Sequence, residues 1–478
     1  MKQISTIKKI LFHGIAFLFA ASAAAEEPIT LEFWDFPHMP ETSAWLQSAI
    51  GQFEQDNPGV KVRFTRLPWQ DGQQKVTLAV LSGQPPDVCG QVSNNISQFV
   101  AQGVLEPVND VIGPVRSDFH DSYIDAVSFK GDIYAIPWYK ACYVMALNRE
   151  LFDRFGVEPP REGRWTHEEF LEKMQALTRR AAPPDMRLDK TIGRAPTGET
   201  QYYGLVTNLG PAEYEAYSII YNDGGRVLKV TPEGDIVPSV DQPDFIAGLK
   251  RLQDLDFRHG IAAPGIGAFT QEQSWKLWKE SETVATTIQG GWIISALKKS
   301  NEQQTQANER LVAAGRPGET RKLFQWMLAA PPTADAQTTP VLASSGLGTF
   351  VVFRQEDERR RELAKKLAMH LVSGEGQSVL KYECVYPSRI SAGNPYADDP
   401  MIGPIFALFP DAVVSPLIPG GERIDKVLQQ EIQKALLPRP GPTREPQITA
   451  EEAARAGQYK VEAVLERATR RFGKAGKD

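Results

Sequence analysis

The sequence feature that most constrains the fold is the stretch at residues 133–152, which reads I-Y-A-I-P-W-Y-K-A-C-Y-V-M-A-L-N-R-E-L-F. It begins as an alternating strand, meets Pro137, and resumes as an apolar run that ends at Asn148. Proline cannot donate to a sheet ladder, so Pro137 is expected to end or edge a strand. Residues 138–140 should therefore follow an irregular path where the chain crosses between two sheets.

Large side chains with polar tips occupy this crossing: Trp138, Tyr139 and Lys140. The two aromatic residues either pack at a junction between lobes or form a ligand platform, because each combines an apolar face with a polar group. Lys140 has two corresponding interpretations. It is either a structural amine, exposed or in an ion pair between lobes, or a charged donor to ligand oxygens.

Strand and helix patterns alternate before the crossing. Residues 29–34 alternate as a strand, apolar residues at 45–53 fall on one helical face, and residues 60–64 alternate again. A second helix from about residue 71 to Gly83 then leads into a strand at Val88. This order predicts a parallel sheet with right-handed crossovers, whose ligands lie beyond the carboxyl ends of the strands. The loops at 36–38 and 90–95 should therefore face one cleft.

Size and composition set the class of protein. A chain of 478 residues with 42% hydrophobic content can fold as two or more lobes. The net charge of −6 and the absence of a basic stripe argue against a nucleic-acid partner. Three cysteines, Cys89, Cys142 and Cys384, allow one disulfide that the sequence does not assign. The histidines are not at ligand spacing, so we expect neither a metal nor a cofactor.

The first residues are typical of a secretory signal peptide. Lys2, Lys8 and Lys9 precede an apolar segment at 10–21, and Ala23–Ala25 form a small-residue cleavage site. We predict cleavage after Ala25. No cysteine follows to carry a lipid anchor and no later run is long enough to span a bilayer, so the predicted location is the periplasm.

Three further stretches, all after the crossing, carry local signals. Residues 165–177 read as a helix in which Thr166 and Glu169 have capping-box spacing. A short strand at 283–288 ends in Q-G-G-W, where two glycines before Trp292 allow a close approach of backbone or ligand. Residues 183–198 are rich in proline, glycine and charge and are expected to form a surface excursion.

The ordered set of motifs F-E-Q-D-N-P-G-V-K-V, L-S-G-Q-P-P-D-V, G-D-I-Y-A-I-P-W, L-N-R-E-L-F-D-R-F-G-V, G-G-W and S-G-E-G-Q covers nearly the whole mature chain. It resembles the extracellular solute-binding proteins of sugar-type ABC importers, the maltose-binding-like family. The resemblance implies an α/β, two-lobed periplasmic-binding-protein fold, in which each lobe is a mixed, mostly parallel sheet flanked by helices and hinge strands cross between lobes. The implied division is a signal peptide at 1–25, one lobe at 26–143 with 336–408, and another at 144–330 with 411–478.

The same resemblance implies a function. A monomer would capture a mono- or oligosaccharide by hinge closure and deliver it to permease subunits in the inner membrane. The positions that match the family's ligand contacts are Phe36, His38, Gln91, Trp138, Tyr139, Lys140, Glu213, Tyr214, Tyr217, Trp292, Ser345, Glu422 and Arg423. Two departures concern these positions: W-K-E-S-E-T-V-A-T-T-I precedes G-G-W, and charge replaces an aromatic residue near Glu422.

Three alternatives to a sugar-transport receptor stay open at this point. The ligand could be a polyol or a phosphorylated polyol such as a glycerol phosphate. A chemosensory ligand-presenting protein would close on its ligand in the same way. A secreted glycosidase would need two carboxyl groups held ~5 to 10 Å apart across a glycosidic bond, and Glu213, Glu422 and Asp35 could supply such a pair only by coincidence of folding, so we do not expect an enzyme.

Overall fold

The structure is a computed structural model that describes residues 28–179, 201–209, 214–231, 235–418, 420–441 and 444–474. The predicted signal peptide, the predicted surface excursion at 183–198 and Glu213 lie outside these ranges. In the part of the chain that the structure describes, every helix is too short or too polar to span a lipid bilayer.

The described strands are β1 (Ile29–Asp35), β2 (Val60–Arg66), β3 (Val88–Val92), β4 (Ser128–Phe129), β5 (Asp132–Ile133), β6 (Ile136–Asn148), β7 (Tyr203–Val206), β8 (Leu228–Val230), β9 (Ile236–Pro238), β10 (Val284–Gly290), β11 (Trp326–Ala329), β12 (Ser344–Val352) and β13 (Tyr386–Pro387). The described α-helices are α1 (Pro40–Asp56), α2 (Gly72–Leu81), α3 (Ser93–Gln102), α4 (Asn109–Ile112), α5 (Asp121–Asp125), α6 (Arg149–Phe155), α7 (His167–Leu177), α8 (Tyr217–Ile220), α9 (Pro243–Phe257), α10 (Gln271–Trp275), α11 (Trp292–Ala313), α12 (Glu358–Leu371), α13 (Gly374–Ser378), α14 (Leu380–Glu383), α15 (Gly403–Phe406), α16 (Gly421–Leu436) and α17 (Ala450–Lys474).

The alternating order at the start of the chain forms the predicted parallel arrangement. β1 lies between β2 and β3 and is parallel to both. Leu31 and Phe33 of β1 are fully buried, and α1 buries Leu46 and Phe53 on the face that covers the sheet. The capping box predicted for residues 166–169 is present at the start of α7. Helix–strand periodicity therefore predicted these elements correctly.

A nine-stranded mixed sheet contains the crossing stretch, in the order β2-β1-β3-β12-β6-β10-β7, with β11 and β13 also paired to β6. The predicted interruption at Pro137 is wrong, because β6 is continuous from Ile136 to Asn148. In its pairing with β12, Tyr139 lies opposite Gly348 and Pro137 lies opposite Thr349. Trp138, between them, therefore has no residue opposite it in β12. This β-bulge accommodates the proline, which has no N–H to donate to the ladder.

Gly348 explains how a tyrosine fits beside the bulge. A Cβ atom added at Gly348 would lie only 2.1 Å from Cζ of Tyr139. The tyrosine ring therefore lies directly across the glycine, in space that any other side chain would occupy.

The buried apolar residues form three clusters. The N-terminal core contains residues from Leu31 to Trp138 together with residues from Leu347 to Val385. The C-terminal core contains residues from Tyr143 to Ala329 together with many from α16 and α17. A third cluster lies around Cys142, Trp278 and Phe409. β6 thus passes from the N-terminal core into the other two between Trp138 and Tyr143.

All three cysteines are free, buried thiols. Burial raises the pKa of Cys89 to about 12 and that of Cys142 to about 12, so both stay protonated at neutral pH. The structure contains no disulfide among them.

Candidate functional site

Five of the predicted site residues line one cavity. The cavity lies at the carboxyl ends of β1 and β3, has a volume of about 20 Å³, and is called the strand-end cavity here. The predicted residues on its wall are Phe36, His38, Gln91, Trp138 and Tyr139. Phe36 and His38 follow β1 and Gln91 lies near the end of the parallel strand β3, so the sheet places them on the same edge, and Trp138 and Tyr139 join them from β6.

A carboxylate and an imidazole form the polar corner of the strand-end cavity. His38 Nε2 lies 3.0 Å from Asp35 Oδ2, and His38 Nδ1 lies 3.7 Å from Glu383 Oε1. Burial favours a lower pKa for His38, but the two carboxylates outweigh it, so the pKa is raised. The other Asp35 oxygen accepts a hydrogen bond from the backbone N–H of Phe36 at 2.8 Å. A Cβ atom at Gly90 would lie 1.9 Å from this oxygen, so glycine makes room for the carboxylate.

An aromatic pair forms the apolar side of the strand-end cavity. The rings of Phe36 and Trp69 are stacked, with centroids 4.5 Å apart and planes at 21°. Trp69 is 57% exposed, which is unusual for a tryptophan in contact with another ring. The sequence analysis missed Trp69. Its signal was available, because Trp69 follows β2 just as Phe36 follows the parallel strand β1.

Gln91 contributes a buried acceptor to the same wall. Its Nε2 donates to Cys89 Sγ at 3.3 Å, whereas its Oε1 has no hydrogen-bond partner among the described residues. The residue is only 4% exposed. An unpaired buried acceptor is energetically costly unless another group bonds to it, so Gln91 is the group here most in need of a donor.

Trp138 and Lys140 serve mainly the structure. Trp138 is 2% exposed, and its Nε1 donates to the carbonyl of Gly376 at 2.7 Å, so it forms the floor of the cavity. The Lys140 amine is buried, donates to the carbonyls of Pro410 at 2.9 Å and Ala412 at 3.0 Å, and lies 4.3 Å above the ring of Tyr123. Lys140 lines neither this cavity nor the next one.

A second cavity lies where α3 meets α16. It has a volume of about 20 Å³ and is called the interface cavity here. Asn94 Nδ2 donates to the Tyr214 hydroxyl at 2.7 Å and approaches the Ser345 carbonyl at 3.4 Å. The Tyr214 hydroxyl in turn donates to Asp425 Oδ2 at 2.7 Å. These bonds join α3, whose apolar side belongs to the N-terminal core, to residues of the C-terminal core.

Three site residues therefore meet at this interface: Tyr214, Ser345 and Glu422. Glu422 Oε2 accepts a hydrogen bond from Ser97 at 2.6 Å. The sequence analysis missed Ser97 and Asp425. Asp425 had a signal, because it lies three residues after Glu422 and so on the same face of a helix.

Asp425 has a perturbed acidity. Burial raises its pKa to about 6, and the negative charge of Glu422 adds to this effect, whereas the hydrogen bond from Tyr214 opposes it. Among the described residues, no lysine or arginine lines the interface cavity. Arg423, another predicted site residue, has 68% of its side chain exposed and lies 3.8 Å from Glu422. It lines neither cavity.

The remaining predicted aromatic residues lie outside both cavities. Tyr217 is 1% exposed, stacks on Tyr221 with ring centroids 5.3 Å apart, and belongs to the C-terminal core. Trp292 begins α11, is 38% exposed, and has its ring 5.8 Å from that of Trp275. A Cβ atom at Gly290 would lie 2.7 Å from Cδ1 of Trp292, so the glycine allows the indole to fold back over the strand end.

No three carboxylate, imidazole or thiol groups of the described residues come together as a metal-binding set. What the two cavities offer is an aromatic stack, buried carboxylates and amide or hydroxyl groups. This combination suits reversible binding of a polar organic ligand that has apolar faces.

Comparison with known proteins identifies relatives along most of the chain. The sequence profile described as bacterial extracellular solute-binding protein matches residues 48–400. A binding protein of Brucella abortus (strain 2308) is 21% identical over 460 residues, which cover 96% of this chain and 98% of the relative.

Two solved structures share the fold. The cyclic α-maltosyl-1,6-maltose binding protein from Arthrobacter globiformis superposes with a TM-score of 0.68 at 17% identity, covering 92% of this chain and 100% of the other. An ABC transporter solute-binding protein from Thermotoga lettingae, bound to α-D-tagatose, gives 0.66 at 22% identity, with 91% and 99% covered. The fold is therefore the two-lobed α/β fold predicted from the sequence.

Proposed function

This chain belongs to the family of bacterial extracellular solute-binding proteins, and we propose that it captures a carbohydrate for an ABC transporter. The observation that carries the proposal is the strand-end cavity, where the Phe36–Trp69 stack lies beside Asp35 and Gln91. A sugar ring has an apolar face and an edge of hydroxyl groups. The stack matches the first, and the carboxylate and the amide oxygen match the second.

The names of similar proteins support the same ligand class. The Arthrobacter protein is named for a cyclic maltose oligosaccharide, and the Thermotoga protein was solved with a monosaccharide. The family consists of substrate-binding proteins, and we propose that this chain likewise has no catalytic activity.

We propose that binding closes the protein about a hinge. The two lobes would be residues 26–143 with 336–408 and residues 144–330 with 411–478. The hydrogen bonds of Asn94 and Ser97 to the C-terminal core support this proposal, because they are contacts that opening would break. The closed form would dock on permease subunits in the inner membrane, and the protein would act as a periplasmic monomer after cleavage of residues 1–25.

The phosphorylated polyol considered from the sequence is not favoured. Phosphate is most often bound by cationic side chains, and among the described residues neither cavity is lined by lysine or arginine. Lys140, the residue that suggested an acidic ligand, is bonded to two backbone carbonyls instead.

A thermal-shift screen of the purified protein against mono- and oligosaccharides, followed by calorimetry of the hits, tests the proposal. A ligand present at a hundred times its dissociation constant adds ~2.7 kcal/mol of stability, a readily measured shift. Incubation of the hits with the protein, followed by chromatography, should show unchanged sugar. Absence of any stabilising saccharide would contradict carbohydrate binding, and released product would contradict a purely binding role.

A further inference from the structure

The charge of the cavity walls bears on which carbohydrates can bind. The strand-end cavity contains Asp35, and the interface cavity contains Asp425, yet in the part of the chain that the structure describes no lysine or arginine lines either of them. Both carboxylates are buried, with 3% and 7% of each residue exposed. Each therefore lies where a ligand would meet a negative charge and no fixed cation.

The partners of Asp35 leave the strand-end corner negative. Asp35 and Glu383 share a single imidazole, that of His38, so the three groups sum to a net negative charge even when His38 is protonated. The nearest cation whose field reaches His38 is Arg66, and its side chain is exposed at the end of β2. Exposed charges are screened by salt, so Arg66 compensates little.

The neighbours of Asp425 likewise leave the interface cavity with a net negative charge. Its described hydrogen bond comes from the neutral Tyr214 hydroxyl, and its charged neighbour Glu422 is also negative. The cation closest to Glu422 is Arg423, which lies 3.8 Å away on a largely exposed side chain.

Gln91 provides an independent observation that the wall accepts hydrogen bonds. Gln91 lines the strand-end cavity, and its buried Oε1 has no partner among the described residues. A wall of carboxylate and amide oxygens binds groups that donate, such as hydroxyl and ammonium groups, and repels groups that only accept.

Resting on the proposed function, we propose that Asp35 and Asp425 make the site selective for charge. It admits neutral and amine-bearing saccharides and rejects uronic and phosphorylated ones. The physical cause is like-charge repulsion in a poorly solvated site, where water screens the contact weakly.

The test uses saccharides that differ only in charge. Each neutral α- or β-1,4-linked glucose disaccharide is paired with its glucosamine and its glucuronic acid counterparts, and calorimetry measures all three on the full-length mature protein. We expect the glucosamine form to bind at least as tightly as the neutral form and the uronic form at least about 30-fold more weakly. Uronic forms that bind as tightly as neutral ones would overturn the charge selection and leave carbohydrate binding intact. If no member binds, the proposed function fails for these sugars, and the selection falls with it.

Variants assign the effect to the two carboxylates. Asp425→Asn and Asp35→Asn should each reduce the neutral-to-uronic affinity ratio about tenfold. The matched control is Asp121→Asn, which removes the same charge from a side chain that is 88% exposed and lines neither cavity. If Asp121→Asn reduced the neutral-to-uronic affinity ratio equally, the overall negative charge of the protein would explain the selection, and the proposal would be overturned. Repeating the series in 0.5 M salt (about a 4 Å screening length) also separates repulsion by the two buried carboxylates from repulsion by the overall charge. Salt should abolish the long-range effect of the overall charge and leave the short-range effect of the carboxylates. Thermal melting confirms that each variant folds, and having two variants keeps the test valid if one does not.

Discussion

Ser97 Oγ donates a 2.6 Å hydrogen bond to Glu422 Oε2 and thereby connects α3 with α16. The two residues are 325 positions apart in the chain and belong to helices that pack on different cores. Together with the bond from Asn94 to Tyr214, this contact holds the two halves of the molecule in direct contact beside the interface cavity.

Ser97→Ala should weaken ligand binding, because under the proposed hinge closure it removes a bond that only the closed form would make. A hydrogen bond to a charged group contributes about 1.5–3 kcal/mol, and the partial exposure of Glu422 reduces this, so we expect about a 5- to 30-fold loss. Calorimetry measures it. The control is Ser82→Ala, whose hydroxyl bonds only to the carbonyl of Ala79 nearby. Equal affinity of both variants and the wild type would show that the contact does not influence closure.

Trp292 lines neither cavity, but its exposed indole at the start of α11 is predicted from the sequence to stack on the ligand, so Trp292→Ala should also weaken binding. The area that such a ring buries corresponds to ~1 to 3 kcal/mol. Titration of the variant with the best saccharide measures the loss. Tyr459→Ala on α17 serves as the control, since Tyr459 is exposed and distant in sequence from every site residue. A correctly folded Trp292→Ala protein with wild-type affinity would exclude the stacking role.

Lys140→Met should change how the free energy of unfolding depends on pH. Burial lowers the pKa of Lys140 from 10.5 to about 8, so between these values the unfolded chain binds the extra proton and the folded protein does not. This group therefore makes the wild type more stable as pH rises from 8 to 10.5, by about 2–3 kcal/mol in all. The methionine variant lacks that gain, and at every pH it also leaves the carbonyls of Pro410 and Ala412 without their donor.

Urea unfolding of both proteins at pH 7.5, 9 and 10.5 (values spanning the Lys140 window) provides the measurement. Taking the difference between the two proteins cancels the groups that titrate in both. A difference in unfolding free energy that stays constant over this range would mean that the Lys140 amine does not titrate as the structure indicates.

Closure itself predicts a change of size in solution. The chain is expected to cross between lobes near residues 138–145, 328–340 and 406–412, so the lobes should move nearly as rigid bodies about these segments. Small-angle scattering should give a smaller radius of gyration at saturating ligand than without it. A sugar that fails to bind, at the same concentration, is the control. An identical radius in both samples would argue against hinge closure.

Local patterns were enough to predict much of the fold. The alternation around Leu31 and Phe33 and the helical face of α1 depend on neighbours along the chain, and both were correct. The path at Pro137 was wrong because the bulge that accommodates it depends on Gly348 and Thr349 of β12. The residues next to Pro137 in the sequence do not indicate which distant strand will pair with them.

The site was predictable to the same extent. Phe36 and His38 follow β1 and Gln91 lies near the end of β3, and the rule for parallel sheets brings such residues to one cavity. The partners of Lys140 could not be predicted, because they are backbone carbonyls, the nearer one 270 residues away along the chain. Any residue type supplies a carbonyl, so the sequence carries no mark of the contact. Asn94 and Tyr214 are likewise paired only by the meeting of two separate cores.

The antiparallel pairing of β6 with β12 has a consequence for biosynthesis. Ser344 and Ser345 bond to the carbonyl of Ala141, more than 200 residues earlier, and β12 lies between β3 and β6 in the sheet. While the chain emerges from the ribosome, the N-terminal core lacks a central strand until about three-quarters of the protein has been made. Contacts of such long range form slowly. The nascent chain should therefore remain loosely structured for most of its synthesis, which is the state that a translocation channel for unfolded polypeptides requires.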